Sequence, residues 1–183
     1  MTTGIKRNSD RFEGWAVNLT LENKIVDVGI KAWDVRTSEV LYDQILLRDF
    51  TLPPNRSTEF PDFWVPKLGE LQSAIVVTSY LKEKSTVVAR HVNFHEPLTE
   101  VPFPVSNGLT TRFVREKSRV WLELTANFPV KGVLAEMTGE PADDVFLDDN
   151  GVDLVPGEAV KLRVTGLSVG EEGKLRVRCL DRA

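Results

Sequence analysis

Hydrophobic and polar residues alternate along much of this chain, and a period of two predicts β-strands with one buried face. Two long examples lie near the start, at residues 12–22 and 24–35. In the first, the pattern assigns the larger alternating apolar set to the core: Trp15, Val17, Leu19 and Leu21. In the second, it assigns Val26, Val28, Ile30 and Ala32. The polar segment that precedes them, residues 1–10, is assigned no strand.

Further strand-like segments complete the first half of the chain. They cover residues 40–47, 58–65, 73–81 and 86–93. Turn signals recur at intervals of roughly 8–12 residues, which is typical of an immunoglobulin-like sandwich of about seven strands. Residues 1–98 are therefore predicted to form one such sandwich.

A proline-containing segment, residues 99–110, is predicted to be a linker, because proline cannot donate to a central strand ladder. Strand signals then resume at residues 111–115, 120–126, 130–137, 145–147, 160–164 and 174–180. They predict a second, smaller immunoglobulin-like sandwich over residues 111–183. The predicted fold class is all-β, with two tandem immunoglobulin-like β-sandwiches.

One polar corner occurs twice. Leu52–Asn55 and Leu154–Gly157 share a leucine, a proline and a residue suited to a turn, and Phe60 and Leu162 follow at equal spacing. The repeat indicates two copies of one β architecture.

Charge, hydrophobicity and cysteine content argue against several classes of protein. The 183 residues carry a net charge of -4, which gives no basic surface for nucleic acid. No apolar run approaches the roughly 20 residues of a membrane span. The single cysteine, Cys179, excludes an intrachain disulfide and a CxxC zinc site. The lack of a disulfide slightly favours an intracellular parent protein over a secreted one.

Two groups of residues raise the question of a metal. His91 and His95 are four apart, which on a strand separates them by about 13 Å, too far for one ion. An acidic cluster is better explained by turn formation, with a loose calcium site as the alternative. Its members are Asp143, Asp144, Asp148, Asp149 and Asp153. No metal or cofactor is predicted.

Four tryptophans are candidates for core or for sugar-stacking surfaces. Trp15 is assigned to the core with its alternating apolar set. Trp33 and Trp121 lie opposite the apolar sets of their strands, so they are the candidates for a domain interface or a sugar-stacking surface. Asn18 begins a glycosylation sequon but lies within a predicted strand, a poor acceptor position.

Four segments resemble, in matching order, the C-terminal region of β-mannosidases of glycoside hydrolase family 2, particularly fungal ones. They are RFEGWAVNLTLE (11–22), ARHVNFHEPL (89–98), FPVKGV (128–133) and DNGVDLVPGE (149–158). The resemblance implies an enzyme with a jelly-roll domain, an immunoglobulin-like domain and a TIM-barrel catalytic domain, followed by two immunoglobulin-like sandwiches. This chain would be those last two.

The resemblance also implies a function for the whole enzyme. It would remove terminal, non-reducing β-D-mannose by a retaining mechanism with two carboxylates about 5 Å apart and no metal. Both carboxylates would belong to the barrel, so no catalytic residue is assigned here, and no acid pair or nucleophile motif was found in the sequence. The expected partner is the enzyme's own TIM barrel. The alternatives are a carbohydrate-binding module for mannose-containing glycans, with Trp33 or Trp121 as the platform, and a spacer or adhesion module.

Overall fold

The computed structural model describes residues 1–8, 11–65, 68–117, 119–138, 145–167 and 170–180. The chain divides into two compact units, Met1–Pro102 and Phe103–Ala183. Each unit is built almost wholly from antiparallel strands. None of the helices in the described ranges has the length and apolar character needed to cross a membrane.

The first unit is a sandwich of two antiparallel sheets. Its strands are β1 (Thr2–Asn8), β2 (Arg11–Asn18), β3 (Lys24–Asp34), β4 (Val40–Leu52), β5 (Arg56–Phe63), β6 (Ile75–Glu83) and β7 (Thr86–Asn93). One sheet has the order β1-β2-β5 and the other β4-β3-β6-β7. A short helix at Leu68–Leu71 and 3-10 turns at Gln72–Ala74 and Leu98–Glu100 lie outside the sheets.

The core of this unit fills the space between the two sheets. On β3, the alternating residues predicted to face inward are all buried: Val26, Val28, Ile30 and Ala32. The three-stranded sheet contributes Phe12, whose ring stacks on Phe63 with centroids 5.4 Å apart. The fold class predicted from the alternating pattern is therefore confirmed for this unit.

Strand β2 corrects the prediction for the first segment. Phe12, Ala16 and Asn18 point into the sandwich, whereas Trp15 and Val17, both assigned to the core, lie half-buried on the outer face. The other two residues assigned to the core, Leu19 and Leu21, lie beyond the end of the strand and are 69% and 83% exposed. The assignment was wrong by one residue, and in a strand such a slip moves every side chain to the opposite face.

The polar N-terminal segment, which was assigned no strand, forms β1. It pairs with β2 from Thr2 opposite Val17 to Asn8 opposite Arg11. Ile5 is 2% exposed and belongs to the core, and Thr3 is buried with its hydroxyl 3.2 Å from that of Ser79. The segment lacks alternating apolar residues because Thr3 and Gly4 fill buried positions, so the period of two gave no signal.

Gly14 explains how β2, which has few large inward side chains, still contributes to a well-packed core. Gly14 lies opposite Phe60 on β5, and a Cβ added at Gly14 would lie 1.9 Å from Cε2 of that ring. The Phe60 ring covers the glycine and fills the space that a side chain would occupy. Phe60 is itself buried, so the pair supplies the apolar contact that the β2 sequence does not show.

The side chain of Asn18 closes the turn between β2 and β3. Its Nδ2 donates to the carbonyl oxygens of Glu22 (2.8 Å) and Leu52 (3.0 Å), and its Oδ1 accepts from the backbone N–H of Thr20 (3.0 Å). Because Asn18 has no exposed surface, all its polar atoms are used inside the protein. The sequon at this position is therefore closed to glycosylation in the folded chain.

The acid Asp34, at the end of β3, predicts a pH-dependent contribution to stability. Arg36 donates its Nε to Oδ1 (3.0 Å) and its Nη2 to Oδ2 (2.6 Å), and these side-chain hydrogen bonds lower the pKa of the Asp34 carboxyl. The carboxylate therefore stabilises the fold above its unfolded pKa of about 4, and this stabilisation is lost as the pH falls through the lower folded value. We expect Asp34→Asn to flatten the acid side of a plot of melting temperature against pH.

Arg36→Ala provides the matched test of that prediction. It removes the guanidinium but keeps the Arg36 backbone N–H that also donates to Asp34 Oδ1 (2.8 Å). Arg36→Ala should therefore flatten the acid side less than Asp34→Asn, and the double variant should match Asp34→Asn. Melting temperatures between pH 7 and pH 3 for the four proteins measure this. An acid side as steep in Asp34→Asn as in the unmodified chain would show that the pair contributes nothing.

The second unit is also a sandwich of two antiparallel sheets. Its strands are β8 (Thr110–Glu116), β9 (Arg119–Thr125), β10 (Val130–Met137), β11 (Phe146–Leu147), β12 (Val152–Leu154), β13 (Val160–Thr165) and β14 (Leu175–Arg178), with a 3-10 turn at Glu172–Lys174. The sheets have the orders β11-β13-β9-β8 and β12-β10-β14. Leu122, Leu124, Leu154 and Leu162 are among the residues that fill its core.

Six strands of each unit share one arrangement, whereas β7 of the first unit and β11 of the second have no counterpart. Strands β8-β9-β13 have the same order as β1-β2-β5, and β12-β10-β14 have the same order as β4-β3-β6. The repeated corner joins β4 to β5 in the first unit and β12 to β13 in the second. Leu52 and Leu154 are both fully buried, and Asn55 and Gly157 both have positive φ, 47° and 80°. The corner thus has the same place in both sandwiches, which confirms the prediction of two copies of one architecture.

Candidate functional site

Trp15 is the residue around which a candidate site is built in the first unit. It lies on the outer face of the β1-β2-β5 sheet, opposite Gly4 on β1 and Glu59 on β5. Its ring atoms Cζ2, Cε2 and Nε1 lie 2.4, 2.5 and 2.9 Å from the position that a Gly4 Cβ would take. The indole therefore lies over the Gly4 backbone, which only glycine permits at this distance.

A groove of about 660 Å³ borders Trp15 on the β1 side. It lies where β1 and β7, the outermost strands of the two sheets, come together, and Asn93 ties them by donating its Nδ2 to the Ile5 carbonyl (3.4 Å). The residues that line the groove combine aromatic rings with hydrogen-bonding side chains: Ile5, Lys6, Arg7, Trp15, His91, Asn93, Phe94, His95 and Glu96.

A chain of polar contacts orders one wall of this groove. The Arg7 Nη1 lies 3.5 Å from Nδ1 of His95, and the His95 Nε2 lies 3.1 Å from Oε2 of Glu100. Partial burial lowers the pKa of the Arg7 guanidinium from its ordinary value, because burial removes part of the water that stabilises the charge. The groove thus holds a cation that has lost part of its hydration.

A second, smaller hollow of about 300 Å³ borders Trp15, and the charged side chains that line it are all acids. It is lined by Glu13, Gly14, Trp15, Glu59, Phe60 and Asp62. Trp15 is therefore common to a hollow lined by acids and a groove that contains Lys6 and Arg7. This arrangement can hold a flat ligand against the indole and provide hydrogen-bond donors and acceptors beside it.

The two tryptophans singled out from the sequence lie elsewhere. Trp33 is 1% exposed, with Nζ of Lys31 5.3 Å from its ring centroid, so it has no open face on which a sugar could stack. Trp121 lies half-buried on the outer face of its sheet, between Val114 and Arg163 on the neighbouring strands. Its Nε1 is buried, and no residue in the described ranges accepts a hydrogen bond from it.

The two histidines lie in the Trp15 groove, and the described contacts of His95 are with other side chains. His91 and His95 both line the Trp15 groove, and His95 lies between Arg7 and Glu100 as described above. Across the described ranges, no group of three or more His, Cys, Asp or Glu side chains is arranged to hold a metal ion. The sequence argument against a shared ion assumed that both histidines lie on one strand. In the structure, β7 contains His91 but ends at Asn93, before His95.

The acidic cluster of the second unit binds backbone amides, as turn-forming residues do. Asp148 Oδ1 accepts from the Arg163 N–H (2.7 Å), and Asp153 Oδ1 accepts from the Gly132 N–H (2.8 Å) while its Oδ2 accepts from Lys131 Nζ (2.8 Å). The remaining described member, Asp149, accepts from the N–H of the next residue. The other two, Asp143 and Asp144, lie outside the described residues.

Sequence reasoning missed the groove because it placed Trp15 in the core. The residues of β2 that face the core are Phe12, Gly14, Ala16 and Asn18. Because Gly14 and Asn18 are unusual core residues, this set is less apolar than the set that contains Trp15, and the pattern favoured the wrong face. The importance of Gly4 depends on its pairing with Trp15, and that pairing requires β1, which the pattern did not predict.

Comparison with known proteins shows which family part of this sequence matches. The model of the mannosidase Ig/CBM-like domain matches residues 10–99. The chain is 39% identical over 175 residues to β-mannosidase B of Thermothelomyces thermophilus, a match that covers 93% of this chain and 20% of that protein. It is 26% identical over 163 residues to β-mannosidase B of Emericella nidulans, covering 87% of this chain and 18% of that protein. The chain thus spans about a fifth of the length of these curated relatives.

Solved structures share the fold. The crystal structure of a β-D-mannosidase from Dictyoglomus thermophilum matches with a TM-score of 0.72 and 16% identity, over 97% of this chain and 21% of that one. The exo-chitosanase of Amycolatopsis orientalis matches with a TM-score of 0.64 and 15% identity, over 97% of this chain and 25% of that one. Residues 10–99 therefore belong to the mannosidase Ig/CBM-like domain family, and the chain as a whole is similar to about a fifth of the length of proteins named β-mannosidase B.

Proposed function

We propose that this chain is the non-catalytic part of a retaining β-mannosidase that removes terminal, non-reducing β-D-mannose from β-mannosides. The observation that carries the proposal is the 39% identity to a β-mannosidase B across 93% of the chain. A retaining mechanism needs a nucleophile and an acid/base carboxylate about 5 Å apart. In the proposal, both lie in a TIM-barrel domain elsewhere in the longer protein, and that domain is the partner of this region.

The environments of the acids support a structural role for the chain. Glu123 is paired with Arg112 at 2.6 Å on a sheet surface, and Asp153 binds a lysine and a backbone N–H. These carboxylates are engaged by side chains and a backbone N–H of the sandwich itself. Two closed β-sandwich cores suit a region that supports a catalytic domain by its rigidity.

An activity assay on two proteins tests the proposal. The 183-residue chain alone should release no p-nitrophenol from p-nitrophenyl β-D-mannoside above the buffer rate, whereas the longer protein that contains it should hydrolyse the substrate. Turnover by the chain alone at an enzyme-like rate would overturn the assignment of a non-catalytic role. A longer protein that cleaves another glycoside and leaves the mannoside intact would overturn the assignment of the substrate.

A further inference from the structure

We propose that the groove beside Trp15 binds a neutral oligosaccharide. The proposal goes beyond the accessory role, and it rests on the proposed function only for the choice of mannose oligomers as the probe. The groove lies within the first unit, and the strands that form it are β1, β2 and β7.

The first argument is the position of the indole. A pyranose ring has a face of C–H bonds that packs on the negative face of an aromatic ring. At Trp15 the ring lies over the Gly4 backbone, so the sheet fixes its orientation while the residue stays half-buried at the wall of an open groove. A larger residue at position 4 would displace the ring, since a Cβ there would lie 2.4 Å from Cζ2.

The second argument is the set of polar groups next to the ring. Sugar hydroxyls both donate and accept, and they are best matched by side chains whose donors and acceptors are fixed in direction. The Asn93 amide is anchored to the Ile5 carbonyl at 3.4 Å, and His95 is held between Arg7 and Glu100. The partial burial of Arg7 reduces the hydration that a hydroxyl must displace.

The third argument is charge, which selects a neutral ligand. The charged residues that line the groove are Lys6, Arg7 and Glu96, and the hollow that also borders Trp15 contains Glu13, Glu59 and Asp62. A polyanion stacked on the indole would be repelled by the acids, and a polycation by the two basic residues. A polyhydroxyl ligand uses both, because its hydroxyls donate to carboxylates and accept from cations.

The size of the groove fits a short oligomer. Its volume of about 660 Å³ lies within the roughly 300–1,000 Å³ of small-molecule sites. The groove is open at the surface, where β1 and β7 meet, so further sugar units of a longer chain can extend beyond it.

A titration monitored by NMR tests the proposal on the complete 183-residue chain. β-1,4-Mannotriose is added to the ¹⁵N-labelled protein, and we expect shift changes at the Trp15 indole N–H and at the Lys6, Arg7 and Asn93 amides. Trp15→Ala should weaken binding by roughly tenfold or more, because stacking on the ring is lost. Trp64→Ala is the matched control in the same unit: this residue is 58% exposed and lies outside the groove, so the affinity should be unchanged.

Three results would overturn the proposal: no shift changes in the groove at millimolar mannotriose, shift changes centred on Trp121, or a folded Trp15→Ala protein with unchanged affinity. The mapping uses the unmodified chain, so it decides the question even if Trp15→Ala does not fold. Binding of β-1,4-glucotriose in the groove without binding of mannotriose would support the saccharide site and count against the mannoside assignment. Activity of the longer protein on mannosides is a separate measurement, so the two proposals can fail independently.

Discussion

Replacing Phe12 by alanine is expected to destabilise the first unit by about 3–5 kcal/mol, a large fraction of the roughly 5–15 kcal/mol by which folded domains are ordinarily stable. The Phe12 side chain is 2% exposed, and its ring stacks on that of Phe63 at 5.4 Å with an interplanar angle of 12°. Truncation removes the burial of the ring and leaves a cavity that two packed sheets cannot close. Urea denaturation with hydrogen exchange measured by mass spectrometry would assign the loss to peptides of Met1–Pro102.

Leu21→Ala is the control for that experiment. Leu21 is 83% exposed beyond the end of β2, so its truncation should change the free energy of unfolding by no more than about 0.5 kcal/mol. The pair also decides between the two faces of β2, because the alternating pattern assigned Leu21 to the core. A large loss for Leu21→Ala with a small loss for Phe12→Ala would show that the register in the structure is wrong.

The difference between β2 and β3 shows how far an alternating pattern can be interpreted. In β3, the polar Asp27 and Lys31 lie on the face opposite Val28 and Ile30, so the pattern chose the core-facing set correctly, although Trp33 on that opposite face is also buried. In β2, both faces contain apolar residues, and the outward set gained weight from two leucines that are not in the strand. A period of two identifies the residues that share a face, but the choice of the buried face depends on the partner strands.

The candidate site depended on that choice. With β2 reversed, Trp15 was assigned to the core, whereas the structure places it beside the groove. On β3, Trp33 was the candidate for a domain interface or a sugar-stacking surface, and the structure buries it. The family resemblance did not reveal the error, because matching segments in order do not show which face of a strand is buried. The position of a surface ring depends on which residue lies across from it, here Gly4, and on where two sheets meet.

In the second unit, the sequence identified the turn-forming residues but not the strand pairing that they support. Gly151 and Gly157 have positive φ, as turn glycines do, and the acids bind nearby amides. What the sequence could not show is that β12 is only three residues long and that polar side chains continue its pairing with β10. That role depends on the register between two strands of unequal length.

Asn150 is the clearest case, and Asn150→Ala is expected to destabilise the second unit by about 2–4 kcal/mol. The last backbone pair between β10 and β12 is Val133 with Val152, and the Asn150 side chain binds the next free position on β10. Its Oδ1 accepts from the Ala135 N–H (2.8 Å), and its Nδ2 donates to the Ala135 carbonyl (2.9 Å). Ala135 is 2% exposed, so truncation leaves two poorly hydrated backbone groups without partners, each costing about 1–3 kcal/mol.

Two further variants make the test of Asn150 specific. Asp149→Ala removes a neighbouring side chain that accepts a hydrogen bond from the N–H of the next residue, so its effect should stay within about 0.5 kcal/mol. Asn150→Asp keeps an acceptor for the Ala135 N–H but loses the donor to the Ala135 carbonyl, so it should fall between the other two. Urea midpoints and exchange of the Ala135 amide measure the series. An Ala135 amide that stays protected in Asn150→Ala would show that the side chain does not complete this ladder, because the fold would then supply another partner for it.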